Sequence, residues 1–270
     1  MEELSGGVKS VVLDGGLGEV RIANDPPALA RSAAAELVRR AEQAVAERGR
    51  FTIALGGGST PRDLYRLLAD ANGPFRARFP WRRTQYFWGD ERHVPPDHPD
   101  SNYRMAREAM LDSADVPAEN VHRIAAENPD AGAAAEAYEA VLREQLASDG
   151  TLPRFDLILL GLGPEGHTAS LFPGSPALHD DARLVAAPWV PAMSTFRITL
   201  TPPVINRAAC VAFLISGEKK REILTNVLFG ARDPDLYPAQ IVEPKAGELL
   251  WLVDADAVPV ELQRRVAGKS

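Results

Sequence analysis

Five short runs of residues constrain this chain more than any other feature. Phe51–Leu55, Thr84–Trp88, Phe155–Leu160, Cys210–Ile215 and Leu249–Val253 are each five or six residues long and mostly apolar, with little polar alternation. A strand without a polar face must be covered on both sides, as in a parallel sheet between layers of helices. Helical patterns fill the intervals. Pro26–Arg48 puts Leu29, Ala33, Leu37, Ala41 and Val45 on one face. Pro61–Ala71 has a proline in its first turn, where the missing N–H costs little. Ser101–Leu111, Asp130–Ala147 and Glu218–Phe229 read as three more helices. This β-α-β-α order predicts an α/β fold with a doubly wound, mostly parallel sheet and right-handed crossovers.

Composition narrows the class of function. Thirty basic against 37 acidic residues leave a net charge of −7 in a chain of 270. A nucleic-acid partner usually meets a basic face, so none is expected. No apolar run approaches the ~20 residues of a membrane span, and Met1-Glu2-Glu3-Leu4 lacks the basic-then-apolar layout of a signal peptide. The expected compartment is the cytoplasm. The single cysteine, Cys210, allows neither an internal disulfide nor a cysteine metal cluster, and its apolar run makes it a buried strand thiol. His93, His98, His122, His167 and His179 show no zinc-binding spacing, so no metal is expected. There is no internal repeat. The proline-containing stretches at Pro95-Pro96 and Pro188–Pro191 are too short for linkers, so residues 1–270 are read as one domain, with residues 1–10 and the last few prone to fray.

Ligands of open α/β sheets bind beyond the carboxyl ends of the strands, so the segments that follow the strands matter most. After the first run comes Gly56-Gly57-Gly58-Ser59-Thr60-Pro61. A plain cap would need Ser59 or Thr60 but not three glycines. Close backbone approach, unpaired N–H groups and the helix dipole together suit a phosphate. The lysine of a nucleotide P-loop is missing. After the second run comes Gly89-Asp90-Glu91-Arg92-His93-Val94-Pro95, a charged cluster that could be a solvated turn or part of a site. After the third comes Gly161-Leu162-Gly163-Pro164-Glu165-Gly166-His167-Thr168-Ala169-Ser170-Leu171-Phe172-Pro173. Its G-x-G-x-x-G spacing resembles a dinucleotide fingerprint, but Pro173 truncates any helix and no acidic residue follows at the ribose position. His167 is the chemical feature here. An imidazole titrates near neutrality and can take a proton, and Glu165 could orient or polarise it. Arg197 begins the alternating stretch Arg197–Thr201. Lys219 and Lys220 open a helix, where a cation opposes the dipole unless an anion lies nearby.

Taken together, these segments resemble the 6-phosphogluconolactonase family. The matching pieces are Leu55–Pro61, Trp88–Pro95, Ser101-Asn102-Tyr103, Gly161–Pro173, Arg197–Thr201 and Ser216–Lys220, in family order and across most of the chain. Gly166-His167-Thr168-Ala169-Ser170-Leu171-Phe172-Pro173 is the most specific. The resemblance implies a Rossmann-like sandwich of the kind shared by glucosamine-6-phosphate deaminases and ribose-5-phosphate isomerases (NagB/RpiA-like). It implies hydrolysis of 6-phospho-D-glucono-1,5-lactone to 6-phospho-D-gluconate in the oxidative pentose phosphate pathway, with no cofactor. The family loop carries an acidic pair before its Gly-His, whereas this chain has Pro164-Glu165.

On that resemblance the substrate phosphate is expected on Gly56, Gly57, Gly58, Ser59 and Thr60, with Arg197 and Lys220 as charge partners. Spacing from Gly217 favours Lys220 over Lys219. His167 is the expected general base. Arg92 or loop N–H groups serve the developing oxyanion, and Asp90 orients Arg92 or a sugar hydroxyl. The expected partner is the small lactone alone, bound by a monomer or weak homo-oligomer.

Three rival readings fit less well. A glucosamine-6-phosphate deaminase would continue its Gly-His loop to a glutamate, where this chain reads Ser170-Leu171-Phe172-Pro173. A sugar-phosphate sensor would keep the phosphate loop, discard the base and carry a DNA-binding module. A dehydrogenase would rest on the glycine spacing alone.

Overall fold

The computed structural model describes residues 8–147 and 152–267. In chain order the strands are β1 (Lys9–Leu13), β2 (Gly18–Ala23), β3 (Phe51–Leu55), β4 (Thr84–Trp88), β5 (Asp90–Arg92), β6 (Leu157–Leu160), β7 (Val185–Ala186), β8 (Trp189–Val190), β9 (Thr195–Leu200), β10 (Cys210–Ile215) and β11 (Glu248–Asp254). The α-helices are α1 (Pro26–Arg48), α2 (Ser59–Ala69), α3 (Asn102–Ala106), α4 (Ala131–Leu146), α5 (Pro202–Ile205), α6 (Arg221–Phe229) and α7 (Val260–Ala267).

Seven strands form the main sheet in the order β1-β2-β11-β10-β6-β3-β4. All neighbours are parallel except β1, which pairs antiparallel with β2 at the edge. β3, β6 and β10 are buried at every residue, which is the two-faced burial their apolar runs require. The expected mostly parallel α/β sheet is therefore observed. Aromatic side chains fill much of the core. Phe213 of β10 stacks on Trp251 of β11 at 4.1 Å, and Phe87 meets Phe155 edge-on at 5.3 Å. Burying a side chain of this size contributes roughly 1.5–3 kcal/mol.

Several boundaries differ from the sequence reading, each for a physical reason. β1 and β2 were not anticipated. β1 alternates, with Val11 and Leu13 buried and Val12 exposed, as an edge strand does. β2 carries Arg21, which pairs with Glu19 and with the buried Glu36 of α1. α2 starts at Ser59, so Ser59 and Thr60 are helical residues and not caps. The expected helix Ser101–Leu111 is α3 followed by a wider π turn over Arg107–Leu111, and Glu218–Lys220 is a 3-10 turn ahead of α6. Lys9 and Ser10 lie in β1, while most of the other terminal residues expected to fray fall outside the described ones. Cys210 is buried, and burial pushes its thiol up to about 12. No helix among the described residues is long and apolar enough to cross a membrane.

The strand order locates the site. From β3 the chain winds outward to β4, whereas from β6 it winds the opposite way to β10 and β11. β3 and β6 are neighbours, so a crevice opens between the segments that follow them. β5, β9 and β7 form a small antiparallel sheet, and β8 pairs with β9. Gly89 joins the two sheets: its N–H donates to the Leu55 carbonyl at 3.0 Å, and its own carbonyl accepts from Leu200 N–H at 2.9 Å. Asp90 and Arg92 thereby reach the crevice from the side.

Candidate active site

Three segments meet at the switch point. The first follows β3. Gly56 N–H donates to the Tyr65 hydroxyl at 3.0 Å, and that hydroxyl lies 2.9 Å from the Gly56 carbonyl, so α2 holds the start of the loop. Gly58 is the N-cap of α2, and no side chain caps the helix. The N–H groups of Gly57, Gly58, Ser59 and Thr60 make no hydrogen bond among the described residues. They are the orphan donors of a helix start, with the positive end of its dipole behind them. Gly57 has to be glycine, because a Cβ there would lie 2.0 Å from Oδ1 of Asn102.

The second segment is β5 with the start of α3. Asp90 is 8% exposed, and its carboxylate accepts from Ser170 Oγ at 2.7 Å and from Asn102 Nδ2 at 3.3 Å. Arg92 lies opposite Arg197 in the β5–β9 pairing. Two like charges facing each other across strands are unfavourable without an anion between them. Burial, with the Arg92 charge added, lowers the pKa of Arg197. The Arg197 guanidinium contacts Met193 Sδ at 2.8 Å, and Arg92 donates to the Asp100 carbonyl at 2.6 Å.

The third segment follows β6. Gly163 N–H donates to the His167 carbonyl at 2.8 Å, and Thr168 Oγ donates to the Gly161 carbonyl at 2.9 Å. Ala169 has φ = 47°, a left-handed conformation unusual for a residue with a side chain. The His167 ring is 20% exposed and lies 4.2 Å from the Phe172 ring, centroid to centroid. Its Nδ1 is buried 3.1 Å from Glu165 Oε2, within ion-pair distance but off hydrogen-bond alignment, so Nδ1 has no hydrogen-bond partner. A Cβ on Gly163 would fall 2.0 Å from the same nitrogen, which makes that glycine a condition for the ring's position. Lys220 Nζ donates to the Leu162 carbonyl at 2.7 Å. Burial lowers its pKa, with the Glu165 charge acting in the opposite direction.

A cleft of about 270 Å³ lies between these segments. Of the residues predicted from the sequence, Gly56, Gly57, Gly58, Asp90, Arg92, His167 and Lys220 line it. Ser59, Thr60, Glu165 and Arg197 do not: the first two lie in the first turn of α2, Glu165 sits against the buried side of His167, and Arg197 is paired across from Arg92. Asn102 lines the cleft and was not singled out as a site residue, although its Ser-Asn-Tyr segment was. No group of three or more His, Cys, Asp or Glu among the described residues is arranged to hold a metal.

A cleft of this make, with open helix donors, cations and one imidazole at a sheet switch point, is typical of α/β enzymes acting on small anionic substrates. The chain belongs to the glucosamine-6-phosphate isomerase/6-phosphogluconolactonase family, whose sequence profile matches residues 24–251. The 6-phosphogluconolactonase of Synechocystis sp. is 46% identical over 219 residues, covering 81% of this chain and 88% of that protein. The 6-phosphogluconolactonase of Nostoc sp. is 41% identical over 239 residues, covering 88% and 96%. The solved 6-phosphogluconolactonase of Trypanosoma brucei has a TM-score of 0.75 at 30% identity, covering 88% of this chain and 96% of that one.

Proposed function

We propose that this chain hydrolyses 6-phospho-D-glucono-1,5-lactone to 6-phospho-D-gluconate, with His167 as general base. The lactonase relatives support hydrolysis of the lactone in the pentose phosphate pathway. The observation that carries the role of His167 is the inequality of its two ring nitrogens. Nδ1 is buried 3.1 Å from the Glu165 carboxylate, whose negative charge favours the proton there. Nε2 has no partner among the described residues on a ring that lines the cleft. A lone pair on Nε2 is what a general base needs.

In this reading the phosphate takes the N–H groups from Gly57 to Thr60, helped by Lys220 and Arg197. Nε2 removes a proton from water as the water oxygen bonds to the lactone carbonyl carbon. The oxyanion that forms needs a nearby donor, and Arg92 is the cation on the cleft wall suited to it. The bond from the carbonyl carbon to the ring oxygen then breaks, and Nε2 returns its proton to that oxygen. Asp90, fixed by Ser170 and Asn102, is left to accept a sugar hydroxyl. One buried cluster extends from Val11 to Leu262 and supports reading the described residues as one domain; the compartment we propose for it is the cytoplasm.

The test is disappearance of lactone generated in situ, against a no-enzyme blank. Wild type should accelerate it, and His167→Ala should lose about 10²–10⁴-fold of that acceleration while keeping its melting temperature. If wild type only matched the blank, the lactonase reading would be wrong and glucosamine 6-phosphate would be the next substrate to assay.

A further inference from the structure

Glu91 is a buried charge that the proposed reaction does not use. It stands between Asp90 and Arg92, is only 2% exposed, and is absent from the cleft wall. It forms no ion pair among the described residues. A buried carboxylate without a cation is costly, and burial duly raises its pKa, with the Asp90 charge adding to the effect. An uncharged residue would avoid that cost, so the carboxylate needs a reason to be there.

Its hydrogen bonds supply one. Oε1 accepts from the backbone N–H groups of Arg92 at 2.8 Å and Asn102 at 2.7 Å. Oε2 accepts from Tyr103 N–H at 2.8 Å and Ser101 Oγ at 3.1 Å. Ser101 Oγ in turn accepts from Arg104 N–H at 3.1 Å. Four donors thus converge on two oxygens, a pattern that only an ionised carboxylate accepts in full. A carboxamide would turn an NH₂ toward donors. A single oxygen, Oε1, ties together the backbones of Arg92 and Asn102, which enter the cleft from separate elements. Asn102 in turn abuts Gly57 and donates to Asp90, so this oxygen is linked to the phosphate loop as well.

We infer that Glu91 is a positioning residue: its carboxylate holds Arg92 and Asn102 in the arrangement the cleft requires, without itself touching substrate. The inference rests on the lactonase reading of the cleft.

The experiment is a double-mutant cycle. Glu91→Gln is made in wild type and in an Arg92→Ala, Asn102→Ala background, and kcat and KM for the lactone are measured in all four proteins. Calorimetric binding of 6-phosphogluconate is measured in parallel. Glu91→Gln should lower kcat/KM by about tenfold in wild type but by less than about twofold in the background that lacks the two positioned side chains. Affinity for 6-phosphogluconate should follow the same non-additive pattern. Equal losses in both backgrounds, or a loss below about twofold in wild type, would overturn the inference. Should Glu91→Gln fail to fold, Ser101→Ala removes one of the four donors and runs the same cycle with a smaller loss. A wild type without lactonase activity would count against the catalytic reading alone, because the binding arm still reports on positioning. A wild type that neither hydrolyses the lactone nor binds 6-phosphogluconate would remove both.

Discussion

Two helices begin beside the same cleft, and their first turns are treated in opposite ways. At α2 the donors from Gly57 to Thr60 are left open, and no side chain caps them. At α3 every early donor is taken: Asn102 and Tyr103 N–H by Glu91, Arg104 N–H by Ser101 Oγ, and Met105 N–H by the Ser101 carbonyl. The physics is the same at both ends, because a helix start presents unpaired N–H groups to whatever anion is near. What differs is where the anion comes from. α3 receives one from its own chain, the Glu91 carboxylate. In the proposed reading α2 keeps its donors for the substrate phosphate. The two starts meet where the backbone of Gly57 lies against the Asn102 side chain.

The largest expected effect comes from breaking that contact. Gly57→Ala puts a methyl group 2.0 Å from Asn102 Oδ1, so either the Asn102 side chain or one helix start must move. We expect kcat/KM to fall about a hundredfold and stability to drop about 1–3 kcal/mol, read by kinetics and urea unfolding. An unchanged enzyme would mean that the two starts are independent. A smaller effect should follow from making α2 resemble α3. Thr60→Glu brings a carboxylate to the open donors, which favours the helix by about 0.3–1 kcal/mol. Its melting temperature should hold or rise while KM rises about tenfold. Inorganic phosphate should protect wild type from thermal unfolding and fail to protect this variant.

The smallest effect concerns charge at the open start. Burial lowers the pKa of Lys220, so its positive charge is lost at a lower pH than for a free lysine. Affinity for 6-phosphogluconate should therefore weaken by about threefold as pH rises from about 7 to 10. Lys220→Arg should flatten that decline, since a guanidinium stays charged. Titration calorimetry across this range distinguishes the two.

How much of this was legible in the chain depends on the distance over which each feature is encoded. The runs that became β3, β4, β6, β10 and β11 were readable because two-faced burial leaves its mark on consecutive residues. β1 and β2 were not, since the edge strand and its neighbour carry charge and polar residues that resemble a loop. Gly56–Gly58, His167 and Lys220 stood out because glycine, imidazole and a misplaced cation each break a local rule. Asn102 and Glu91 break none. Asn102 looks like an ordinary first-turn residue, and Glu91 like a solvated charge among others.

The chain by itself therefore determined the class of sheet, the strand ends that carry chemistry and the family, because these are written in contiguous residues. Tertiary structure alone decided that Arg92 faces Arg197, that Glu91 is buried on the donors of α3, and that Nδ1 of His167 is buried beside Glu165. Those outcomes depend on register and packing between segments far apart in sequence, where no local preference of a residue can specify its partner.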